Sequence, residues 1–138
     1  VFVESESKKV GNVAIPTALV ERMRASPCLD LTLPLPERVA LLMEDYAFFV
    51  KDSAHFCDRL DALTSIRGKV VVDAWKAQVQ NGAVENVVQD LLTLHYDPVY
   101  LQSMQRNFVQ YAQATAISPQ SRSAQAMAEL AGELLQKH

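Results

Sequence analysis

Residues 28–51 read CLDLTLPLPERVALLMEDYAFFVK, and this stretch decides the fold class. Apolar and polar residues alternate over residues 28–33, which is the period of a β-strand. Two prolines then stop the strand, and apolar side chains recur at helical spacing from Val39 to about Lys51. One strand followed by a long helix predicts an α/β chain.

Most of the remaining sequence has helical periodicity. Residues 1–3 are expected to form a buried strand that ends at Glu4, and residues 109–117 are weakly β-like. Helices are expected over residues 16–26, 53–64, 69–81, 83–96, 99–107 and 118–137, with Ser53 and Ser118 as N-caps.

Three separated strands would leave a thin sheet with unpaired edges, so we expect them to belong to a larger assembly of strands. The predicted fold class is a predominantly helical α/β fragment, the rear half of a P-loop-type parallel sheet plus a helical extension. We expect a single domain, P-loop-like over about residues 1–52 and helical over about residues 53–138. The chain opens without Met inside a strand-like run, which also favours a fragment.

The composition is that of a soluble globular protein. The chain has 138 residues, 49% of them apolar and 21% charged, and its net charge of −3 argues against a broadly basic surface that coats nucleic acid. No apolar run approaches the roughly 18–20 residues that span a bilayer, so no membrane contact is expected. Cys28 and Cys57 are too few and too far apart for a disulfide framework or zinc site. A cytoplasmic setting without a metal site is expected.

Two charged residues lie where P-loop proteins hold phosphate or Mg²⁺. Glu4 follows an apolar run, and Arg38 lies in the first turn of the long helix, where a guanidinium can hold two phosphate oxygens. Each has a plainer interpretation, Glu4 as a solvated strand end and Arg38 as the partner of Glu37 or Asp45. The phosphate-binding motif G-x-x-x-x-G-K-[ST] does not occur in the sequence, so the chain is not a complete P-loop enzyme.

A polar and aromatic cluster occupies residues 95–100, at a predicted junction between two helices. It combines an imidazole, a carboxylate and two phenols, and Arg106 and Asn107 follow further along. Such a cluster is suited to binding phosphate or stacking a base. Equally, Asp97 would cap the helix that starts at Pro98, with the aromatic rings in the core.

Several short motifs together resemble the tRNA 2-selenouridine synthase family. They are VFVESESKKVG at residues 1–11, MRASPC at 23–28, RVALL at 38–42, DY at 45–46, HYDP at 95–98 with Tyr100, and RNF at 106–108. They occur in this order over about the first 108 residues, and their joint occurrence is more specific than any one of them.

The resemblance implies an activity. Members of this family join a rhodanese-like domain with a reactive cysteine to a P-loop domain, and they act on the wobble 2-thiouridine of certain tRNAs. A geranyl group is transferred from geranyl diphosphate to the sulfur, and selenium from selenophosphate then replaces the thioether. The chain would be an inactive C-terminal fragment without a resident cofactor. Its partners would be tRNA and the missing N-terminal segments. The exposed sheet edges that the sequence predicts, rather than the resemblance, add a second copy of the chain as a further expected partner.

The resemblance also implies a set of site residues. Glu4 and Glu6 would be catalytic at the phosphate end of the sheet, where Glu4 helps to hold Mg²⁺ or diphosphate. Ser5, Ser7, Lys8 and Lys9 would form the loop beside them. Lys8 stands where the family pattern leads us to expect arginine, which weakens bidentate phosphate binding there. The remaining phosphate or tRNA contacts would be Arg38, His95, Tyr96, Asp97, Tyr100, Arg106 and Asn107.

Two other classes of function fit parts of the sequence. An autonomous helical interaction module would need an exposed apolar groove or patch. The back half of a small-molecule P-loop kinase would share the strand-end carboxylate and the helix-start arginine, but it would not account for the HYDP motif.

Overall fold

The computed structural model of the protein describes residues 1–5 and 8–137, without the side chains of residues 49 and 50. It divides into two compact units. The terminal unit joins Val1–Thr32 with Val99–His138, and the central unit is Leu33–Pro98. The predicted single domain with a change of character near residue 52 stays a prediction.

The central unit is built from helices. Their bounds are α2 Leu35–Asp45, α3 Ala47–Lys51, α4 Ser53–Asp61, α5 Thr64–Arg67, α6 Lys69–Gln80 and α7 Val84–Asp90, followed by a π-helical segment Leu91–Tyr96. The terminal unit contains an antiparallel hairpin of β1 Lys9–Val10 and β2 Val13–Ala14, then α1 Thr17–Arg24, β3 Leu29–Leu31, most of α8 Asp97–Asn107, a 3₁₀ turn Tyr111–Gln113, β4 Thr115–Ile117 and α9 Ala124–Lys137.

The core of the central unit forms around one indole. Trp75 of α6 is 2% exposed, and it belongs to one apolar cluster with Leu60 of α4 and Val87 of α7. The indole N–H donates to Oδ2 of Asp90 over 3.0 Å, so its polar edge is satisfied. Helical spacing of apolar residues in α4, α6 and α7 therefore produces one continuous core.

Two helix ends in this unit follow from single residues. Asp52 caps α4, because its carboxylate accepts the backbone N–H of His55 over 3.0 Å; the predicted cap, Ser53, is instead the first residue of the helix. Gly82 has φ +81° and follows α6, with the N–H of Ala83 donating to the carbonyl of Gln78 over 2.9 Å. This left-handed glycine ends α6 as predicted.

The terminal unit contains a short parallel ladder. β3 and β4 pair with Leu29 opposite Thr115, and the predicted strand over residues 28–33 is confirmed in its central part. The N–H of Thr32 donates to the carbonyl of Ile117 over 2.8 Å, which extends the pairing one residue beyond β3. The described residues are thus mostly helical with two small sheets, in agreement with a predominantly helical α/β class.

One predicted strand does not form, and two predicted helices have other bounds. Residues 1–3 are exposed and belong to no strand, because apolar residues alone do not form a strand without the ladder of a neighbour. The predicted long helix up to Lys51 is divided at Tyr46, whose ψ of 27° lies outside helical values. The last helix begins at Ala124, since Ser123 Oγ accepts the N–H of Ala126 and acts as its cap.

Within the described ranges, no helix has the length and apolar character required to cross a bilayer.

Leu60→Ala tests the core of the central unit. Leu60 is 2% exposed, so removing its side chain leaves a cavity and should lower the free energy of unfolding by about 2–5 kcal/mol. Urea unfolding followed by the fluorescence of Trp75, the only tryptophan, measures this loss. Leu94→Ala is the matched control, because Leu94 is 48% exposed and should lose far less. Equal losses would contradict the assigned core.

Candidate functional site

A groove in the terminal unit collects several of the predicted site residues. It has a volume of about 330 Å³ and is lined by residues of α1 and α8 and by Ser5, Lys8 and Ile15. Its polar lining comes from Ser5, Lys8, Arg24, Tyr100, Ser103 and Asn107, and its apolar lining from Ile15, Val20, Met23, Met104 and Phe108. The mixture of cationic, hydroxyl and apolar groups suits a ligand with an anionic end and an apolar end.

Side-chain spacing on two helices builds this groove. Lining residues of α8 occur at positions 100, 103, 104 and 107, and those of α1 at positions 20, 23 and 24. Residues three and four apart share one face of a helix. Each helix therefore presents one continuous stripe to the groove.

Hydrogen bonds hold the walls of the groove together. The hydroxyls of Ser5 and Tyr100 lie 3.3 Å apart, which attaches the N-terminal segment to α8. Beyond α8, the N–H of Val109 donates to the carbonyl of Arg24 over 3.0 Å. Gln110 Nε2 donates to the carbonyl of Ala25 over 2.6 Å. The C-terminal ends of α1 and α8 are thus joined through the backbone of α1.

The charged groups of the groove are cationic. Lys8 and Arg24 line it, and the described part of its lining includes no acidic side chain. Two positive charges beside partly dehydrated walls attract an anion more strongly than the same charges in open water. The described lining therefore carries positive charge without a neutralising carboxylate.

Several predicted residues lie outside the groove lining. Glu4 is exposed, Lys9 lies in β1, and Arg106 is exposed in the last turn of α8. Glu6 and Ser7 fall outside the described residues. Among the described residues, no group of three His, Cys, Asp or Glu side chains could hold a metal ion. The catalytic role of Glu4 stays a prediction.

A second group of predicted residues lies in the central unit. Nη1 and Nη2 of Arg38 donate to Oδ2 and Oδ1 of Asp97 over 2.8 and 2.6 Å, so the guanidinium and the carboxylate form a bidentate pair. This bond lowers the pKa of Asp97 and raises the pKa of Arg38. Neither Glu37 nor Asp45, the two partners considered for Arg38 from the sequence, provides this contact.

The segment from His95 to Tyr100 is continuous helix, so the predicted junction between two helices is wrong. The π-helical segment runs directly into α8, and Asp97 is the first residue of α8 rather than its cap. Pro98 accounts for the wide turn, because a proline inside a helix lacks an N–H and its ring crowds the carbonyl four residues earlier. That carbonyl belongs to Leu94, inside the π-helical segment.

His95 has a cationic neighbour that sequence reasoning missed. Nε and Nη2 of Arg67 both lie 3.3 Å from Nδ1 of His95, which accepts from the guanidinium when that nitrogen is unprotonated. The ring of Tyr96 meets the imidazole edge-on, with centroids 5.0 Å apart. Arg67 and His95 are 28 positions apart in the chain, so no local pattern signals their contact.

The sequence prediction also omitted part of the groove. Arg24, Met23, Met104 and Phe108 line it, and none of them was a predicted site residue. The spacing of residues 20, 23 and 24 on α1 is a usable signal, but it identifies only a face of that helix. The partner of that face is known only once α1 and α8 are brought together.

Comparison with known proteins agrees with the sequence motifs. Residues 1–67 match the family model of the tRNA 2-selenouridine synthase AAA domain. The chain is therefore related to the tRNA 2-selenouridine synthases, as the motifs predicted.

One curated relative is the tRNA 2-selenouridine synthase of Marinobacter nauticus (strain ATCC 700491 / DSM 11845 / VT8). It is 29% identical over 126 residues, an alignment that covers 72% of this chain and 34% of the relative. The chain thus spans about a third of the length of the curated relative that it matches. No solved structure matches the chain.

Asp97→Asn tests the ion pair. The bond with Arg38 lowers the pKa of Asp97 in the folded protein below its ordinary value of 3.8. The ion pair therefore contributes its full stabilisation above pH 3.8. This contribution is lost as the pH falls through the lowered pKa of the folded protein. Because both side chains are partly exposed, the substitution should lower the free energy of unfolding at pH 7 by roughly 1 kcal/mol. The difference from the unsubstituted protein should shrink as the pH falls below 3.8.

Asp73→Asn is the control for this prediction. It breaks the Lys69–Asp73 pair, whose side chains are 78% and 53% exposed, and should cost only about 0.3–0.5 kcal/mol. Urea unfolding over a series of pH values, followed by Trp75 fluorescence, compares the two variants. A loss from Asp97→Asn that does not depend on pH would contradict the assigned pair.

Proposed function

We propose that this chain acts in tRNA modification, as the part of a 2-selenouridine synthase that contributes contacts to phosphate groups and tRNA. The substrate would be a tRNA with 2-thiouridine at the wobble position. The sulfur would be alkylated by geranyl diphosphate, and selenium from selenophosphate would then displace the thioether. Alkylation makes the sulfur a better leaving group, which gives the two steps their order.

The groove of the terminal unit is the observation that carries this proposal. Lys8 and Arg24 supply positive charge, and Met23 and Met104 supply a soft apolar surface beside it. A volume of about 330 Å³ falls in the range of small-molecule sites, roughly 300–1,000 Å³. Geranyl diphosphate has the matching structure, with a charged diphosphate at one end and an apolar chain at the other.

The cations would assist the alkylation step. As the thiocarbonyl sulfur bonds to the first carbon of the geranyl group, the bond from that carbon to diphosphate oxygen breaks and the diphosphate leaves with the electron pair. Lys8 and Arg24 would stabilise the charge that accumulates on the departing oxygens. The apolar wall would hold the geranyl chain in line for the attack.

We further propose that these 138 residues do not catalyse the reaction by themselves. The phosphate-binding motif G-x-x-x-x-G-K-[ST] does not occur in their sequence, and neither does the rhodanese-like domain of the family. Their share would be to bind and orient the diphosphate and the tRNA backbone. Glu4, exposed in the terminal unit, would help to hold Mg²⁺ or diphosphate.

Arg24→Ala and Met23→Ala test the two ends of the groove separately. Arg24→Ala should weaken binding of both inorganic diphosphate and geranyl diphosphate about tenfold, because a charge-assisted hydrogen bond is lost. Met23→Ala should weaken geranyl diphosphate by a similar factor and leave inorganic diphosphate unchanged, because it removes only apolar contact. Isothermal titration calorimetry measures both ligands.

Arg22→Ala is the matched control on the same helix. Arg22 is exposed and does not line the groove, so its removal should leave both affinities close to those of the unsubstituted protein. Equal effects of Arg22→Ala and Arg24→Ala would indicate general charge attraction, and the groove would then not be the site.

Arg106→Ala tests the contact with tRNA. Arg106 is exposed in the last turn of α8, and if it meets a backbone phosphate, its loss should weaken tRNA binding and reduce the slope of log affinity against log salt by about one. Filter binding or fluorescence anisotropy over a salt series gives the slope. Arg59→Ala removes an exposed arginine of the central unit as a control. An unchanged slope for Arg106→Ala would remove Arg106 from the phosphate contacts.

A further inference from the structure

The bond between Arg38 and Asp97 has the geometry of an anion site that is already filled. The terminal nitrogens of the guanidinium donate to both carboxylate oxygens, at 2.8 and 2.6 Å. Two oxygens of a phosphate group accept the same pair of donors in the same way. The carboxylate therefore stands where the oxygens of an oxyanion would bind.

The pair is also within reach of solvent. The side chains of Arg38 and Asp97 are 35% and 39% exposed, so an anion can approach the guanidinium while the central unit stays folded. When the two side chains separate, each can be hydrated, and no buried charge is left without a partner. The pair is therefore a weak internal competitor, unlike a fully buried ion pair.

We propose that Arg38 is an oxyanion site of the central unit and that Asp97 is its built-in competitor. The carboxylate occupies the guanidinium until a phosphate group displaces it, and the freed carboxylate then turns to water. The ligand is a phosphate group, from free diphosphate or from an RNA backbone. The inference rests on the proposed function for the choice of phosphate, but Arg38 and Asp97 belong to the central unit and are not lining residues of the groove.

The competition predicts an unusual effect of substitution. If Asp97 were itself a ligand contact or only a bridge between α2 and α8, its neutralisation would weaken phosphate binding or leave it unchanged. If Asp97 competes for Arg38, its neutralisation raises the fraction of free guanidinium. The apparent affinity of a ligand increases in proportion to the fraction of binding-competent protein. For an exposed pair this amounts to about a fivefold gain.

Four variants of the protein test this in calorimetric titrations with inorganic diphosphate. Asp97→Asn should bind about fivefold more tightly than the unsubstituted protein. Asp73→Asn removes the same charge from the exposed pair with Lys69 and should gain nothing. Arg38→Ala should bind more weakly, and adding Asp97→Asn to Arg38→Ala should restore no affinity.

Each contrary result overturns the inference. An affinity of Asp97→Asn equal to or below that of the unsubstituted protein would make Asp97 a bridge only. A gain that persists in the double variant, or that Asp73→Asn reproduces, would have another cause. The less negative net charge of the variant, rather than a freed Arg38, would then be responsible for the tighter binding. Repeating the titrations with tRNA identifies the source of the phosphate, since a gain for both ligands indicates a site open to the RNA backbone.

A measurement on the unsubstituted protein guards against a variant that fails to fold. The ¹³C carboxylate resonance of Asp97 should move toward that of a hydrated carboxylate as diphosphate is added, and an unmoved resonance at saturation would overturn the inference. The groove is tested independently by Arg24→Ala. If Arg24→Ala and Arg22→Ala had equal effects while Asp97→Asn still bound diphosphate more tightly, the proposed function of the groove would fail and this inference would stand.

Discussion

The buried indole of Trp75 imposes the strictest constraint on the central unit. An indole N–H enclosed by apolar side chains needs an acceptor, since an unmatched buried donor costs roughly 1–3 kcal/mol. Asp90 supplies that acceptor at 3.0 Å, so α6 and α7 must pack in one register. Leu60 and Val87 are buried in the same cluster as the indole in this arrangement. Gly82, with its left-handed backbone, lets the chain turn between the two helices.

The terminal unit is organised by a different interaction, the joining of α1 to the end of α8. Backbone carbonyls of Arg24 and Ala25 accept hydrogen bonds from residues just beyond α8, which brings two side-chain stripes face to face. The cations and the methionines of the groove meet there as a consequence. Residues 1–67, the range matched by the synthase family, contribute α1 and the N-terminal wall of this groove but not α8.

Local signals in the sequence predicted the elements whose causes are local. α1 and α6 were predicted because their apolar spacing lies between clear start and stop residues, such as Pro16 before α1 and Gly82 after α6. Asp97 shows where such signals fail. An Asp before a proline is a good helix cap, yet here the preceding segment is already helical and the carboxylate bonds Arg38 instead. The strand expected at residues 1–3 failed for the related reason that a strand depends on its neighbour.

The sequence by itself determined the relationship to the tRNA 2-selenouridine synthases, the helical character of the chain and the residue types available for binding anions. These properties depend on residue identity and on spacing over a few positions. Only the tertiary structure decided which of these residues meet. Arg38 lies 59 positions from Asp97, and Ser5 lies 95 positions from Tyr100. Contacts across such separations form only when the packing of whole helices brings the side chains together, because no local periodicity encodes the partner of a helix face.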